Sequence, residues 1–118
     1  MAEVTRILVA LEPRMYREVL AFHFRQERPL SEVTLASSRT LKAEAQRTKP
    51  HLIIATEIPS ELKEKGAFFW VEIRIAEGLV ASVHANGQST TIEDVSLQEL
   101  LAVVDQAQEG LLAHDDEA

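Results

Sequence analysis

Four polar side chains stand directly after the two most apolar runs of the sequence, and their types suit the binding of a small ligand. Thr56 and Glu57 follow the run LIIA in the segment HLIIATEIP, while Glu12 follows the run ILVAL and Arg14 stands one proline later. In open α/β sheets, ligands bind in the crevice just beyond the carboxyl ends of the strands. Two carboxylates, a guanidinium and a hydroxyl are expected there, which makes these four residues the candidate ligand-binding crevice.

The familiar patterns of catalytic and metal-binding sites are missing from the sequence. The four histidines, His23, His51, His84 and His114, lie far apart in the sequence, and no two of them have the i, i+3 or i+4 spacing of paired metal ligands. No GxSxG elbow, P-loop or GxGxxG segment occurs. Because the chain has no cysteine, disulfides, thiolate catalysis and cysteine-based metal sites are excluded. We therefore predict no catalytic residue, no metal and no cofactor.

The two apolar runs predict strands that are covered on both faces, as in the centre of a parallel sheet. Between them we expect a helix over 14–27, an edge strand in the alternating segment EVTLAS, and a second helix from about Arg39 to Arg47. Right-handed crossovers then give the strand order 2-1-3. The first helix carries a broad apolar face at helical spacing, formed by Met15, Val19, Leu20, Phe22 and Phe24.

The second half of the chain predicts an antiparallel meander. Only IAEG separates FFWVEIR from the next apolar segment, which is too short for a parallel crossover. Asn86-Gly87 is the strongest signal for a two-residue hairpin turn, and Ser96 with Glu99 forms a capping box before a closing helix. The predicted fold class is a three-layer α/β sandwich. Its parallel strands, in the order 2-1-3, are completed by the meander, and the C-terminal helix packs on the sheet.

Composition and charge favour one acidic domain. The chain has 118 residues, of which 46% are hydrophobic, enough for one core, so we assign residues 1–112 to a single domain and 113–118 to a disordered acidic tail. A net charge of -7 with scattered basic residues argues against nucleic-acid binding. No apolar run approaches the roughly 18 residues of a membrane span. We therefore predict no membrane interaction and a cytoplasmic location.

The segments RILVALEP and HLIIATEIP make the first half resemble a response-regulator receiver domain, a flavodoxin-like fold. The resemblance covers about residues 5–59 and the closing helix. In that family an acidic pair ends the first strand, a phosphoacceptor aspartate ends the third, and a lysine closes the fifth. Here Glu12 matches one acidic position beside apolar Leu11, Thr56 stands where the aspartate belongs, and no lysine follows Lys65. The resemblance implies a degenerate pseudo-receiver that is not phosphorylated at the usual position.

Such a domain is expected to be a non-catalytic signalling or regulatory module that acts through protein–protein contacts. A protein partner or a second copy of the chain would be its target. Phe68 and Trp70 are candidate interface residues because aromatic side chains often anchor interfaces, and Val103 is a third because it lies off the main stripe of the closing helix. The alternative is a small-ligand-binding protein or enzyme that uses the crevice at Glu12 and Thr56. An oligomerisation module is a further possibility.

Overall fold

A computed structural model describes residues 4–65, 69–75, 78–85 and 88–116 of the chain. These residues form six strands and four helices that alternate in the first half and change to consecutive strands in the second. The elements are β1 (Arg6–Ala10), α1 (Arg14–Glu27), β2 (Glu32–Leu35), α2 (Leu41–Thr48), β3 (Leu52–Ala55), α3 (Ser60–Lys65), β4 (Phe69–Ile75), β5 (Leu79–Ala85), β6 (Gln88–Ile92) and α4 (Leu97–Asp116).

The strands form one mixed sheet in the order β2-β1-β3-β4-β5-β6. The pairs β1–β2, β1–β3 and β3–β4 are parallel, and the pairs β4–β5 and β5–β6 are antiparallel. The predicted order 2-1-3 and the antiparallel second half are therefore confirmed. The predicted hairpin turn at Asn86-Gly87 lies outside the described residues, although the strands on either side pair from Ala85 and Gln88 onward.

Helices lie on both faces of the sheet because the central strands are buried on both sides. Side chains of a strand alternate between faces, so Ile7 and Val9 of β1 join the larger apolar cluster, while Leu8 and Ala10 join the smaller one. The larger cluster also contains the buried side chains of α1 and α4, and the smaller one contains those of α2 and α3. Each run of continuous apolar residues thus supplies two cores at once.

The helix ends follow local hydrogen bonding. The predicted capping box is confirmed, since the Ser96 N–H donates to Glu99 Oε1 at 3.0 Å and the Glu99 N–H donates to Ser96 Oγ at 3.2 Å. Helix α2 begins at Leu41, two residues later than predicted, because Ser37 and Thr40 form a turn of their own in which the Ser37 N–H donates to Thr40 Oγ1 at 3.0 Å.

The backbone of α4 is helical as far as Asp116. That helix therefore runs into the segment assigned above to an acidic tail, and the division into a domain over 1–112 and a tail stays a prediction. Within the described ranges, no helix combines the length and the apolar character that a membrane span requires.

Two phenylalanines on α1 give a direct test of this packing. Phe24 is 0% exposed in the larger cluster, whereas Phe22, on the same helix, is 55% exposed. We expect Phe24→Ala to lower the free energy of unfolding by about 3–5 kcal/mol, because it leaves a cavity in the core. The matched change Phe22→Ala should alter it by no more than about 0.5 kcal/mol. Urea denaturation followed by circular dichroism measures both, and equal losses would contradict this orientation of α1.

Candidate functional site

The ends of β1 and β3 meet through their backbone register, which brings two of the four predicted crevice residues together. Ala10 pairs with Ala55, so the residues that follow these strands lie side by side. The Glu12 N–H donates a hydrogen bond of 2.8 Å to Thr56 Oγ1. The Thr56 hydroxyl oxygen is therefore occupied by the neighbouring strand end, and it joins the two central strands at this edge of the sheet.

The carboxylate of Glu12 is held by contacts within the chain. Its Oε1 accepts hydrogen bonds from the Ser38 N–H at 3.1 Å and from Ser38 Oγ at 2.9 Å, and its Oε2 lies 3.3 Å from Arg17 Nη1. The hydrogen bonds from Ser38, with a smaller contribution from the Arg17 guanidinium, hold the pKa of Glu12 below its ordinary value. Glu12 therefore stays ionised at neutral pH and connects the end of β1 to α1 and to the β2–α2 turn.

The other two predicted crevice residues do not join this arrangement. Arg14 pairs with Glu18 one helical turn along α1 at 2.7 Å, and both side chains are exposed. Glu57 is exposed and forms no hydrogen bond or ion pair with the part of the chain that the structure describes. The reason is geometric, because Arg14 already belongs to a helix that leads away from the strand end, where an i,i+4 partner is closer than the crevice.

A pocket of about 250 Å³ lies on the α1 and α4 face beside Glu12 and Thr56. Its buried side is apolar and draws on both halves of the chain. The side chains there are Leu11, Leu20, Ile73, Val95 and Leu100, and the partly buried Leu79 also lines the pocket. Its more exposed side is formed by Tyr16, Val19 and His23 of α1 and by Leu97 at the start of α4. The edge predicted to hold a polar crevice therefore borders an apolar pocket.

Sequence reasoning missed this pocket because five of its twelve lining residues come from the meander and the closing helix. Leu79 begins β5, Val95 lies between β6 and α4, and Leu97 begins α4, so no local pattern connects them to α1. One signal was available in the sequence. The apolar face predicted for α1 is wider than a single core contact requires.

The excess apolar surface of α1 forms a stripe that we call the α1 ridge, defined as Met15, Val19 and Phe22. These residues follow the i, i+4, i+7 spacing and are 61%, 51% and 55% exposed. Leu20, Ala21 and Phe24 are the residues of α1 that enter the core. The predicted broad face of α1 is thus divided between a buried side and an exposed side. The α1 ridge is the main candidate contact surface.

The predicted interface residues have different positions. Phe68 lies outside the described residues. Trp70 is half-buried and stacks on His84 with ring centroids 5.2 Å apart, while Lys63 Nζ lies 4.6 Å from the indole centroid. Val103 is 4% exposed and belongs to the larger apolar cluster. The apolar surface of α4 that was expected at Val103 therefore faces the core of this protein, because the helix packs on the sheet along that side.

Glu72 is a polar residue of this edge to which the sequence assigned no role. Its Oε2 accepts a hydrogen bond from the Ile58 N–H at 2.8 Å, and its Oε1 accepts one from Lys63 Nζ at 2.8 Å. Glu72 pairs with Ala55 across β3 and β4, so it lies close to the loop that leaves β3. This carboxylate fixes that loop against α3, and both of its oxygens are occupied by contacts within the chain.

Glu12 and Glu72 are therefore engaged separately rather than gathered around one point. Among the described residues, no group of three or more histidine, aspartate or glutamate side chains is placed to hold a metal ion. Glu12 contacts Ser38 and Arg17, whereas Glu72 contacts Lys63. What the edge offers chemically is an apolar pocket bordered by side chains that are already hydrogen-bonded, an arrangement suited to binding.

The Glu12 contacts predict a change in pKa. Removing the hydroxyl in Ser38→Ala should raise the pKa of Glu12 toward its ordinary value, although the backbone N–H of residue 38 remains as a donor. Because the folded pKa is lowered, the stability that this group contributes is present above the unfolded pKa and is lost as pH falls through the folded pKa. As the pH falls from the unfolded pKa of Glu12 through its folded pKa, the free energy of unfolding should therefore decrease less in the variant than in the wild-type protein. Carbon-detected NMR titration measures the pKa, with Ser89→Ala as control, and an unchanged value would contradict the contact.

In comparisons with known proteins, no family model, no curated protein and no solved structure matches this chain.

Proposed function

We propose that this protein is a non-catalytic regulatory module that acts through protein–protein contacts, with the α1 ridge as its contact surface. The observation that carries the proposal is the exposure of Met15, Val19 and Phe22 on one face of a well-packed helix. Apolar anchors at i, i+4 and i+7 are the pattern by which helices bind grooves and other helices. The target is a partner protein or a second copy of the chain.

The position of these side chains supports the proposal over a purely internal role. Leu20, Ala21 and Phe24 already bury the inner side of α1, so the α1 ridge is not needed to hold the helix on the sheet. Burying a large apolar side chain contributes roughly 1.5–3 kcal/mol. Three such residues that remain half-exposed are a substantial unused driving force for association. Exposed apolar surface of this kind typically marks an interaction site.

A receiver-like ancestry fits the same proposal. Thr56 stands where a receiver carries its phosphoacceptor, and its hydroxyl is hydrogen-bonded to the Glu12 N–H. The carboxylate of Glu12 is held by Ser38 and Arg17. A domain that keeps this scaffold without the phosphorylation carboxylates is a pseudo-receiver.

We also propose a three-layer sandwich, a cytoplasmic location and no role in nucleic-acid binding.

Site-specific photocrosslinking in the native host tests the contact surface. A photoreactive residue at position 22 should give a discrete crosslinked species, because Phe22 lies on the α1 ridge. A species of twice the mass of the chain would identify a second copy as the target, and any other discrete mass would identify a different protein. The same residue at position 39, which is exposed in the turn before α2, is the matched control.

The double variant Met15→Gln, Val19→Gln should abolish the adduct at position 22 while the circular dichroism spectrum is unchanged, because both residues are largely exposed. No adduct at position 22, or equal adducts at positions 22 and 39, would contradict the proposal. An adduct that persists in the folded double variant would also contradict it, since the contact would then not depend on the α1 ridge.

A second experiment tests the absence of receiver chemistry. Acetyl phosphate with magnesium should leave the intact mass of the protein unchanged, because threonine cannot form the acyl phosphate that an aspartate forms. Beryllofluoride with magnesium should likewise leave the amide resonances of Glu12 and Thr56 in place. A mass gain of one phosphoryl group at this edge, or saturable shifts with beryllofluoride, would overturn the pseudo-receiver interpretation.

A further inference from the structure

We propose that the pocket between α1 and α4 binds a small, mainly apolar ring molecule of bicyclic size that carries one hydrogen-bonding group. This inference goes beyond the contact surface proposed above. It rests on the pocket itself, because Met15 and Phe22 of the α1 ridge do not line the pocket.

The volume of the pocket sets the size of the ligand. An apolar protein cavity of about 150 Å³ stays dry and accepts benzene. The pocket here measures about 250 Å³ and is therefore large enough for two fused rings. It is smaller than the roughly 300–1,000 Å³ of sites for drug-sized ligands. A nucleotide, an acyl chain of ordinary length or a peptide helix would exceed it.

The lining sets the chemical character of the ligand. Leu11, Leu20, Ile73 and Leu100 present buried apolar surface, which favours a hydrocarbon or aromatic ring over a sugar or phosphate. The polar side chains Glu12 and Thr56 at one end are committed to Ser38, Arg17 and each other. They contribute the shape of that end and leave no free charge to neutralise an ionic ligand.

Two residues of the lining carry polar groups that remain available. The Tyr16 hydroxyl and the ring nitrogens of His23 have no hydrogen-bond partner within the described ranges, and the one contact recorded for His23 is the edge of its ring against Phe22. Both residues belong to the more exposed side of the pocket. A hydroxyl or ring N–H at the edge of the ligand would meet them there while the rings fill the apolar side. Specific sites commonly combine an apolar lining with a few placed polar groups of this kind.

The position of the pocket supports a ligand role. It borders the ends of β1 and β3, where open α/β sheets bind their ligands. Its walls come from five separate parts of the chain, namely the end of β1, α1, the end of β3, the β4–β5 pair and the segment that leads into α4. A ligand seated there would contact all of them and would stabilise the folded protein in proportion to its concentration.

Titration with 2-naphthol and with naphthalene, followed by methyl NMR, tests the proposal. Both probes should give saturable shifts of the Leu11, Leu79 and Leu100 methyl groups, with 2-naphthol binding roughly tenfold tighter because it gains one hydrogen bond. In the double variant Tyr16→Phe, His23→Phe, the two probes should bind with equal affinity. That loss of discrimination distinguishes recognition of the hydroxyl from a merely structural role of the two residues.

Filling the pocket provides the decisive variant. Leu97→Trp should weaken both probes at least tenfold, because Leu97 is only partly buried at the start of α4 and a larger side chain there occupies the cavity. If that variant does not fold, Leu79→Phe replaces it. Met15→Ala is the matched control, since it removes an apolar side chain of α1 outside the pocket and should leave both affinities unchanged.

Several outcomes would overturn the inference. The absence of saturable shifts at the solubility limit of the probes would do so, as would unchanged affinity in folded Leu97→Trp. Weakening of the probes by Met15→Ala as strong as that by Leu97→Trp would also overturn the inference, since the probes would then bind the α1 ridge. Failure of the pocket leaves the photocrosslinking result untouched, because position 22 reports on the α1 ridge alone.

Discussion

The structure depends on the burial of β1 and β3 on both faces. Ile7 to Ala10 and Leu52 to Ala55 are almost fully buried, so their backbone N–H and C=O groups must be paired with other strands. They are paired by the parallel ladders with β2 and β4 and with each other. Their side chains need cover above and below, which the chain supplies with α1 and α4 on one face and with α2 and α3 on the other.

The same requirement leaves a gap on the α1 and α4 face. Six strands at about 4.8 Å spacing make a sheet about 24 Å wide, whereas two helices of about 10 Å diameter cover about 20 Å. The C-terminal end of α1 is joined to the middle of α4, where Arg28 donates two hydrogen bonds to Asp105 at 2.7 and 2.9 Å. The first turns of α1 and α4 are separated by the pocket. The pocket therefore lies where the two helices cover the sheet incompletely.

Hydrogen bonding at the strand ends determines what this edge can do. The groups that would serve a metal or a phosphoryl group are used to tie loops and helices to the sheet, as Thr56 ties the end of β1 and Glu72 ties the loop after β3. Buried or half-buried polar groups are satisfied in this way in most proteins. The consequence is an edge with fixed geometry, an apolar pocket and few free polar atoms, which suits recognition of apolar surface.

The sequence by itself determined the elements, the order of the first three strands, the reversal to an antiparallel second half and the capping box at Ser96, because each depends on periodicity or on residues close together in the chain. It also placed Glu12 beside Thr56, since the ends of parallel strands share an edge. Only the tertiary structure decided that Val103 is buried and that Phe22 is exposed while Phe24 is not. These outcomes depend on which elements pack on each face of the sheet and how much of that face they cover. The pocket arises because residues that are distant in the sequence do not fill the space between the first turns of α1 and α4.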